Sequence, residues 1–240
     1  MIRFKGLVLA GGEGTRLAAG GITVSKPMVE VGGKPQIVRQ IETLAMLGCS
    51  GITCMVRDDY PEAQDAVLGR KWKVPVDVCL CHTPSSLHTL AEGLGQTGEG
   101  AVFATMVDTV MRMDDWRRAF AGSKAALEQG ADVALVVTPF VDDEAALWVR
   151  RDATGRVTAL GKEPFQPPCV TGGVYALRAG IGALAAEAVR SGMHRMRAFL
   201  SDLVQKGLVV QAVEVPRVID LDRPQDLAAA NEWLAAAGQS

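Results

Sequence analysis

Net charge is what this sequence most lacks: 25 basic residues against 27 acidic ones leave −2 over 240 positions. So balanced a chain does not capture nucleic acid or an anionic membrane by electrostatics, and any phosphate site has to be local. Long hydrophobic runs are also missing. No apolar stretch approaches about 18 residues, which excludes a membrane-spanning helix. The first ten residues do not read as a secretory signal, because their short apolar run leads into glycines and not into a small-residue cleavage pattern. Cysteine is sparse and odd in number, five in all, with no C-x-x-C spacing. Cys79 and Cys81 share a face of an apparent strand. All five cysteines are read as reduced and structural, and the expected location is cytoplasmic. Repeats, low-complexity tracts and linker-like stretches are absent, so one compact domain over residues 1–240 is expected.

What is present is the material of a core. About half of the residues are apolar (48%) and 22% are charged, the balance of an ordinary globular domain. Strand and helix signals alternate, which is the pattern of an α/β fold on a largely parallel sheet. Strands are expected at Phe4–Ala10, Gly51–Val56, Val76–Cys81, Ala101–Val107 and Asp132–Thr138. Between them lie helical patterns at Pro35–Leu47, Pro61–Leu68, Ser85–Leu94 (with Ser85 as N-cap) and Asp114–Gln129. After Pro139 the texture changes. A hairpin signal surrounds Asp152–Gly155, a proline-rich loop follows, and "CVTGGVYAL" reads as a strand interrupted by glycines. Helices at Ile181–Val189 and Met196–Gln205, a strand near Leu208–Val215 and a terminal helix to about Ala237 complete the pattern.

The most informative stretch is "FKGLVLAGGEGTRLAAGGITVSKPMVEVGGKP", Phe4 to Pro35. A buried strand ends in a glycine-rich turn, whose successive backbone N–H groups can cradle an anion such as a triphosphate. Arg16 adds a planar cationic fork and Lys26 a point charge. The spacing is neither the Walker A pattern nor G-x-G-x-x-G. Gly11, Gly12, Gly14, Thr15, Arg16, Leu17, then Lys26-Pro27 and Gly33-Lys34-Pro35, resemble the signature of the sugar-1-phosphate nucleotidyltransferases, also called nucleotide-sugar pyrophosphorylases. That resemblance implies a three-layer α/β/α, Rossmann-like fold of the GT-A type. It implies a nucleotide-binding half (1–138) and an acceptor-binding half (139–240). Leu9, Ala10, Gly11, Gly12, Gly14, Thr15 and Arg16 would hold the nucleotide, with Arg16 and Lys26 as the catalytic cations.

Moving a nucleotidyl group requires an α-phosphate held in line, with a hard divalent cation neutralising charge on its oxygens. Such a cation wants carboxylates at the C-terminal edge of the sheet. Asp108 follows the apolar run "AVFATMV" and so sits at a strand end. Asp220 and Asp222 lie in "VIDLDRPQDL". The resemblance implies Mg²⁺, or Mn²⁺ in its place, on Asp108 and Asp220. Asp222 is either a further ligand or the cap of the helix that opens near Pro224.

For the acceptor, the family writes Glu-Lys-Pro where this chain has Lys162-Glu163-Pro164, so Lys162 is the expected phosphate contact in an altered register. Thr171 and Gly172 stand where the family's N-x-G-x-Y strand meets the sugar. For the base, a glutamine common in the family is replaced by Cys81, and Ser86-Leu87 resembles the cytidylyltransferase branch. Cys81, His82 and Ser86 are the expected base-side residues, and a pyrimidine nucleotide, CTP before UTP, the expected donor. Two other functions stay open: a GT-A-type glycosyltransferase using Asp220-Leu221-Asp222 as its D-x-D, and a non-catalytic subunit that binds nucleotide sugars. The acceptor class and the oligomeric state are not legible.

Overall fold

The computed structural model describes residues 2–142 and 146–237; the side chains of Thr15, Arg16 and Ala237 lie outside that description. In chain order the elements are β1 (Phe4–Ala10), α1 (Thr15–Ala19), a 3-10 turn (Lys26–Met28), β2 (Glu30–Val31), β3 (Lys34–Pro35), α2 (Gln36–Leu47), β4 (Ile52–Arg57), α3 (Pro61–Leu68) and β5 (Val76–Cys81). There follow α4 (Ser86–Thr97), β6 (Ala101–Met106), β7 (Thr109–Val110), α5 (Met113–Glu128) and β8 (Val133–Thr138). The chain continues through β9 (Trp148–Arg151), β10 (Val157–Gly161), β11 (Val170–Leu177), α6 (Ile181–Arg190), α7 (Met196–Gln205), β12 (Val210–Glu214), β13 (Ile219–Asp220) and α8 (Pro224–Ala237).

Nine of these strands form one mixed sheet, in the order β10-β9-β11-β6-β1-β4-β5, with β8 pairing both β11 and β12. The block β6-β1-β4-β5 is parallel throughout, and β12 is parallel to β8. The reversal comes at β11, antiparallel to both β6 and β8. β1 lies between β4 and β6 and is buried on both faces, which is why it reads as a continuous apolar run. Its side chains still alternate. Phe4, Val8 and Ala10 join the core under α2 and α5, while Leu7 and Leu9 join the core under α4, α6 and α7. Helices thus cover both faces of a mainly parallel sheet, the three-layer architecture expected.

Element boundaries agree with the sequence to within a few residues. One helix runs further than expected: α4 continues past Leu94 to Thr97. Leu94 and Thr97 are both buried there, and Lys5 Nζ donates to the Thr97 carbonyl at 2.6 Å, so the last turn is packed and its end satisfied. Ser85 does occupy the N-cap position, but its hydroxyl makes no cap bond. It lies 2.8 Å from His88 Nδ1 instead. The pair β7–β13 has no counterpart in the sequence reading, because two-residue strands carry no periodicity.

Candidate active site

The C-terminal edge of the parallel block is where β1 ends in the glycine loop and β6 ends in the Asp108 turn. The two ends are adjacent because β1 and β6 pair, Leu9 opposite Met106, and the Val107 N–H donates to the Leu9 carbonyl at 3.1 Å. Two buried amides brace the Asp108 turn from α2. Gln40 Nε2 donates to the Thr109 carbonyl at 2.6 Å, and Gln36 Nε2 to the Val107 carbonyl at 3.3 Å. From the far end of the chain, β13 pairs with β7, Asp220 opposite Thr109 and Ile219 opposite Val110. That short pairing carries the Asp220–Asp222 segment to the same edge.

Lys26 joins these pieces. Its ammonium contacts Asp108 Oδ2 and lies 2.7 Å from Asp222 Oδ1, with side-chain exposures of 10%, 13% and 24% for the three residues. Burial pulls the Lys26 pKa down, but the two carboxylates outweigh it and hold the ammonium well above the usual lysine range. The glycine loop closes on the other side. Gly14 has φ +64°, and a Cβ there would lie 3.2 Å from Lys26 Cβ, so loop and lysine stem are in close approach. Asp220 sits beside this trio, with its Oδ1 3.5 Å from Thr109 Oγ1. Gly173 lets β11 pass: it has φ +67°, and a Cβ there would meet Thr109 Oγ1 at 2.6 Å and Asp220 Oδ1 at 3.6 Å. Burial first, then the negative charges of Asp220 and Asp108, push the Tyr175 hydroxyl above its usual range, so it stays protonated beside the carboxylates.

The turn that presents Asp222 is itself clamped. Asp226 Oδ2 accepts from the Arg223 N–H at 2.7 Å and from the Asp222 N–H at 3.1 Å. Asp226 is 4% exposed, and its other oxygen accepts from the Arg223 guanidinium at 3.1 Å. Sequence reasoning missed Gln36, Gln40 and Asp226. The first two did carry a signal, since they are polar residues four apart within an otherwise apolar helical stripe.

A cavity of about 760 Å³ opens beside the carboxylates. Asp220, Asp222 and Tyr175 form one wall, and Ser85 and Ser86 at the start of α4 form another. Of the three residues assigned to the acceptor from sequence, Lys162 and Thr171 line it and Gly172 does not, being buried against Val218. Arg195 and Arg197 also face it and were not singled out from sequence. Their segment is tied to α4 by His194, whose ring stacks on His88 with centroids 5.4 Å apart.

The expected base-side residues separate. Cys81 is buried, and a Cβ on Gly11 would lie 3.3 Å from its sulfur, so it backs the glycine loop. Its thiol is pushed up to about 11, chiefly by burial. His82 is exposed, with Nδ1 3.0 Å from Asp58 Oδ1. Leu9 and Ala10 are buried, and Gly12 is exposed. The Thr15 and Arg16 side chains lie outside the described residues. Among the described residues, Asp58, Asp59 and His82 are a group of three whose ligand atoms lie within 4.8 Å of one another. All three are exposed, and Arg57 donates to Asp59 at 2.7 and 2.8 Å.

The carboxylates at the sheet edge have the chemistry a hard divalent cation takes, but among the described residues they are not a group of three whose ligand atoms all lie within 4.8 Å of one another, as those of Asp58, Asp59 and His82 are. Asp108, Asp220 and Asp222 offer carboxylate oxygens, with no sulfur or imidazole among them. The Lys26 ammonium, seated on Asp108 and Asp222, demonstrates that a positive charge is accommodated there.

Known proteins resemble this chain in pieces and as a whole. Mannose-1-phosphate guanyltransferase of Debaryomyces hansenii is 34% identical over 111 residues, 46% of this chain and 28% of that protein. The enzyme of that name from Pichia angusta is 50% identical over 52 residues, 22% of this chain and 14% of that protein. The matches therefore span well under a third of these relatives. Among solved structures, the inositol-1-phosphate CTP transferase from T. maritima superposes with a TM-score of 0.82 at 19% identity, covering 98% of this chain and 96% of that one. A putative glucose-1-phosphate thymidylyltransferase from Bacillus anthracis, in complex with a sucrose, superposes with a TM-score of 0.77 at 18% identity, covering 96% and 95%. At such identities the likeness is one of fold. The sequence pattern of the MobA-like NTP transferase domain matches residues 6–198, and the chain belongs to that family.

Proposed function

We propose that this chain transfers a nucleotidyl group from a nucleoside triphosphate to a phosphorylated small molecule, a sugar phosphate or similar, and releases pyrophosphate. An acceptor phosphate oxygen attacks the α-phosphorus while the bond to the pyrophosphate oxygen breaks. No covalent enzyme intermediate is needed, because the acceptor is already an anionic nucleophile. Positioning and electrostatics carry the rate.

One observation carries this reading: the glycine loop, Lys26, Asp108 and Asp222 form a single contact cluster, and Asp222 of that cluster also lines the cavity. The glycine loop binds the triphosphate. Lys26, with Arg16, balances the charge that grows on the leaving pyrophosphate. Asp108 and Asp220, with Asp222, would hold Mg²⁺, which when bound neutralises the non-bridging phosphate oxygens. Lys162 and Thr171, which line the cavity, face the acceptor, and Gly172 lies behind them against Val218. The five thiols are unpaired, which supports a cytoplasmic location, and among the described residues no helix is long and apolar enough to cross a membrane.

For the base we propose a pyrimidine, CTP before UTP. Ser86-Leu87 and the missing glutamine at Cys81 support it, as does the CTP specificity named for the T. maritima protein. The yeast relatives are named guanyltransferases, so GTP is the competing donor. The test is pyrophosphate release with each of the four NTPs against a panel of sugar, polyol and choline phosphates. Release of pyrophosphate with at least one pair is expected. Release of a nucleoside diphosphate from a nucleotide sugar instead would favour the glycosyltransferase reading.

A further inference from the structure

We propose that Tyr60 is a positioning residue for the glycine loop: its hydroxyl holds the loop's carbonyl groups, so that the loop's N–H groups are presented to a triphosphate. The proposal rests on the reading of that loop as the triphosphate site. The loop needs such a hold. Gly12 and Glu13 are exposed, and a Cβ on Gly12 would meet nothing within 4 Å. Glycine leaves the backbone free to turn, so a cradle built from it is loose until its peptide planes are fixed.

Tyr60 fixes them. Its hydroxyl donates to the Glu13 carbonyl at 3.1 Å, with the Gly12 carbonyl oxygen 3.5 Å away. The next carbonyl, that of Gly14, accepts from the Ala18 N–H at 3.1 Å. A trans peptide carries its C=O and its N–H on opposite edges. With the Gly12 and Glu13 carbonyls turned to Tyr60, the N–H groups of Glu13 and Gly14 point away from it. Among the described residues, no hydrogen bond occupies either N–H. Successive free donors of this kind suit an anion.

Tyr60 is itself held in place. It precedes Pro61 at the start of α3, where its N–H donates to the Arg57 carbonyl at 3.2 Å and its carbonyl accepts from the Ala63 N–H at 3.1 Å. Arg57 backs the ring, with its guanidinium carbon 5.4 Å from the ring centre. The Arg57 side chain is 7% exposed and forks onto both Asp59 oxygens at 2.8 and 2.7 Å. Its Nη1 lies 3.6 Å from Glu13 Oε1. The end of β4 therefore grips the loop twice, by a hydroxyl on its backbone and by a charge on its one acidic side chain.

Inorganic tripolyphosphate, which has the phosphates but neither base nor sugar, is the probe, and isothermal titration reads its binding. Tyr60→Phe keeps the ring over Arg57 and loses the hydroxyl. Its Kd should lie roughly three- to tenfold above that of wild type, the worth of one neutral hydrogen bond. Equal affinity in both proteins, or no binding to either, overturns the clamp. In turnover, the KM for the triphosphate should rise by the same factor while the KM for the acceptor stays within about twofold. Equal rises in the two constants would mark a general loss of structure and overturn the positioning role. If Tyr60→Phe does not fold, protein labelled with 3-fluorotyrosine answers instead. The chain has only two tyrosines, Tyr60 and Tyr175, so Tyr175→Phe leaves the Tyr60 fluorine signal alone. That signal should move when tripolyphosphate is added, and an unmoved signal overturns the proposal. Pyrophosphate release is scored separately. Turnover with equal tripolyphosphate affinity in wild type and Tyr60→Phe removes the clamp and keeps the proposed function. Weakened binding in Tyr60→Phe with no turnover of wild type on any substrate pair does the reverse.

Discussion

The backbone N–H of Leu221 donates to the carbonyl oxygen of Asp108 at 3.1 Å. Together with the Asp220–Thr109 and Ile219–Val110 pairs, this bond fastens the end of β6 to the segment before α8. Two aspartate-bearing turns from distant parts of the chain are thus held together by backbone pairing, and their placement does not rest on the carboxylates alone.

The carboxylates come first. Asp108→Asn and Asp222→Asn keep shape and lose charge. Each should lower kcat/KM by about 3–4 kcal/mol, the order seen when a key electrostatic group is removed. Steady-state pyrophosphate release checks it, and near-wild-type turnover in Asp108→Asn would take that residue out of the site.

Gln40→Leu tests the brace beneath the Asp108 turn. The variant loses the 2.6 Å bond to the Thr109 carbonyl, but it also removes a buried Gln40 Oε1 that has no hydrogen-bond partner. These effects oppose each other, so stability should change by no more than about 1 kcal/mol. Turnover should fall roughly tenfold, because a small misplacement of a catalytic group is costly. Urea unfolding and kcat, measured on the same preparation, separate the two; an unchanged kcat denies the bracing role.

Asp226→Ala removes the acceptor of the Asp222 and Arg223 N–H groups. About 1–3 kcal/mol of stability should be lost, since buried donors are left without a partner. A denaturation midpoint equal to wild type would show that the turn holds its shape unaided.

Gly14→Ala places a Cβ on a left-handed residue in contact with the Lys26 stem. The backbone alone costs about 1–2 kcal/mol. The KM for the triphosphate should rise, because the loop must shift away from Lys26. Isothermal titration with a non-hydrolysable triphosphate reads the effect, and wild-type affinity would speak against the loop as the phosphate cradle.

Alkaline pH should weaken the fold. Burial pushes the Cys49 thiol up to about 12 and the Cys81 thiol up to about 11. Between the ordinary thiol range and those values, unfolded thiols release protons that folded ones keep, so rising pH favours unfolding. Lys26 acts in the same direction. Its pKa is raised in the fold, so its contribution is complete below the ordinary lysine range and fades as pH climbs through the folded value. Urea titrations at pH 8 and pH 11 should give a lower midpoint at the higher pH, and Cys49→Ala should reduce the difference.

Most of the sheet was legible because its strands are short apolar runs bounded by turn residues, and a strand buried on both faces cannot hide that pattern. Lys26, Asp108 and Asp220 were legible through their position behind strands and glycines, whereas Asp222, left open between ligand and helix cap, is the carboxylate that the structure sets beside Asp108 on Lys26. Their mutual pairing was not, because it depends on β7 and β13, two residues each. Arg195 and Arg197 escaped for a related reason. They lie where a loop runs into α7, and the fold alone turns that segment toward the cavity. Asp226 was not singled out at all, since its bonds to the preceding turn exist only once the chain has folded back.

The family pattern ends at residue 198, and the last strand of the large sheet ends at Glu214. Asp220 and Asp222 come after both. A ribosome therefore completes every strand of the sheet before it makes two of the three carboxylates at the sheet's edge. On the proposed function, a chain that ended at Glu214 would hold every strand of the large sheet and lack two of the three carboxylates at its edge.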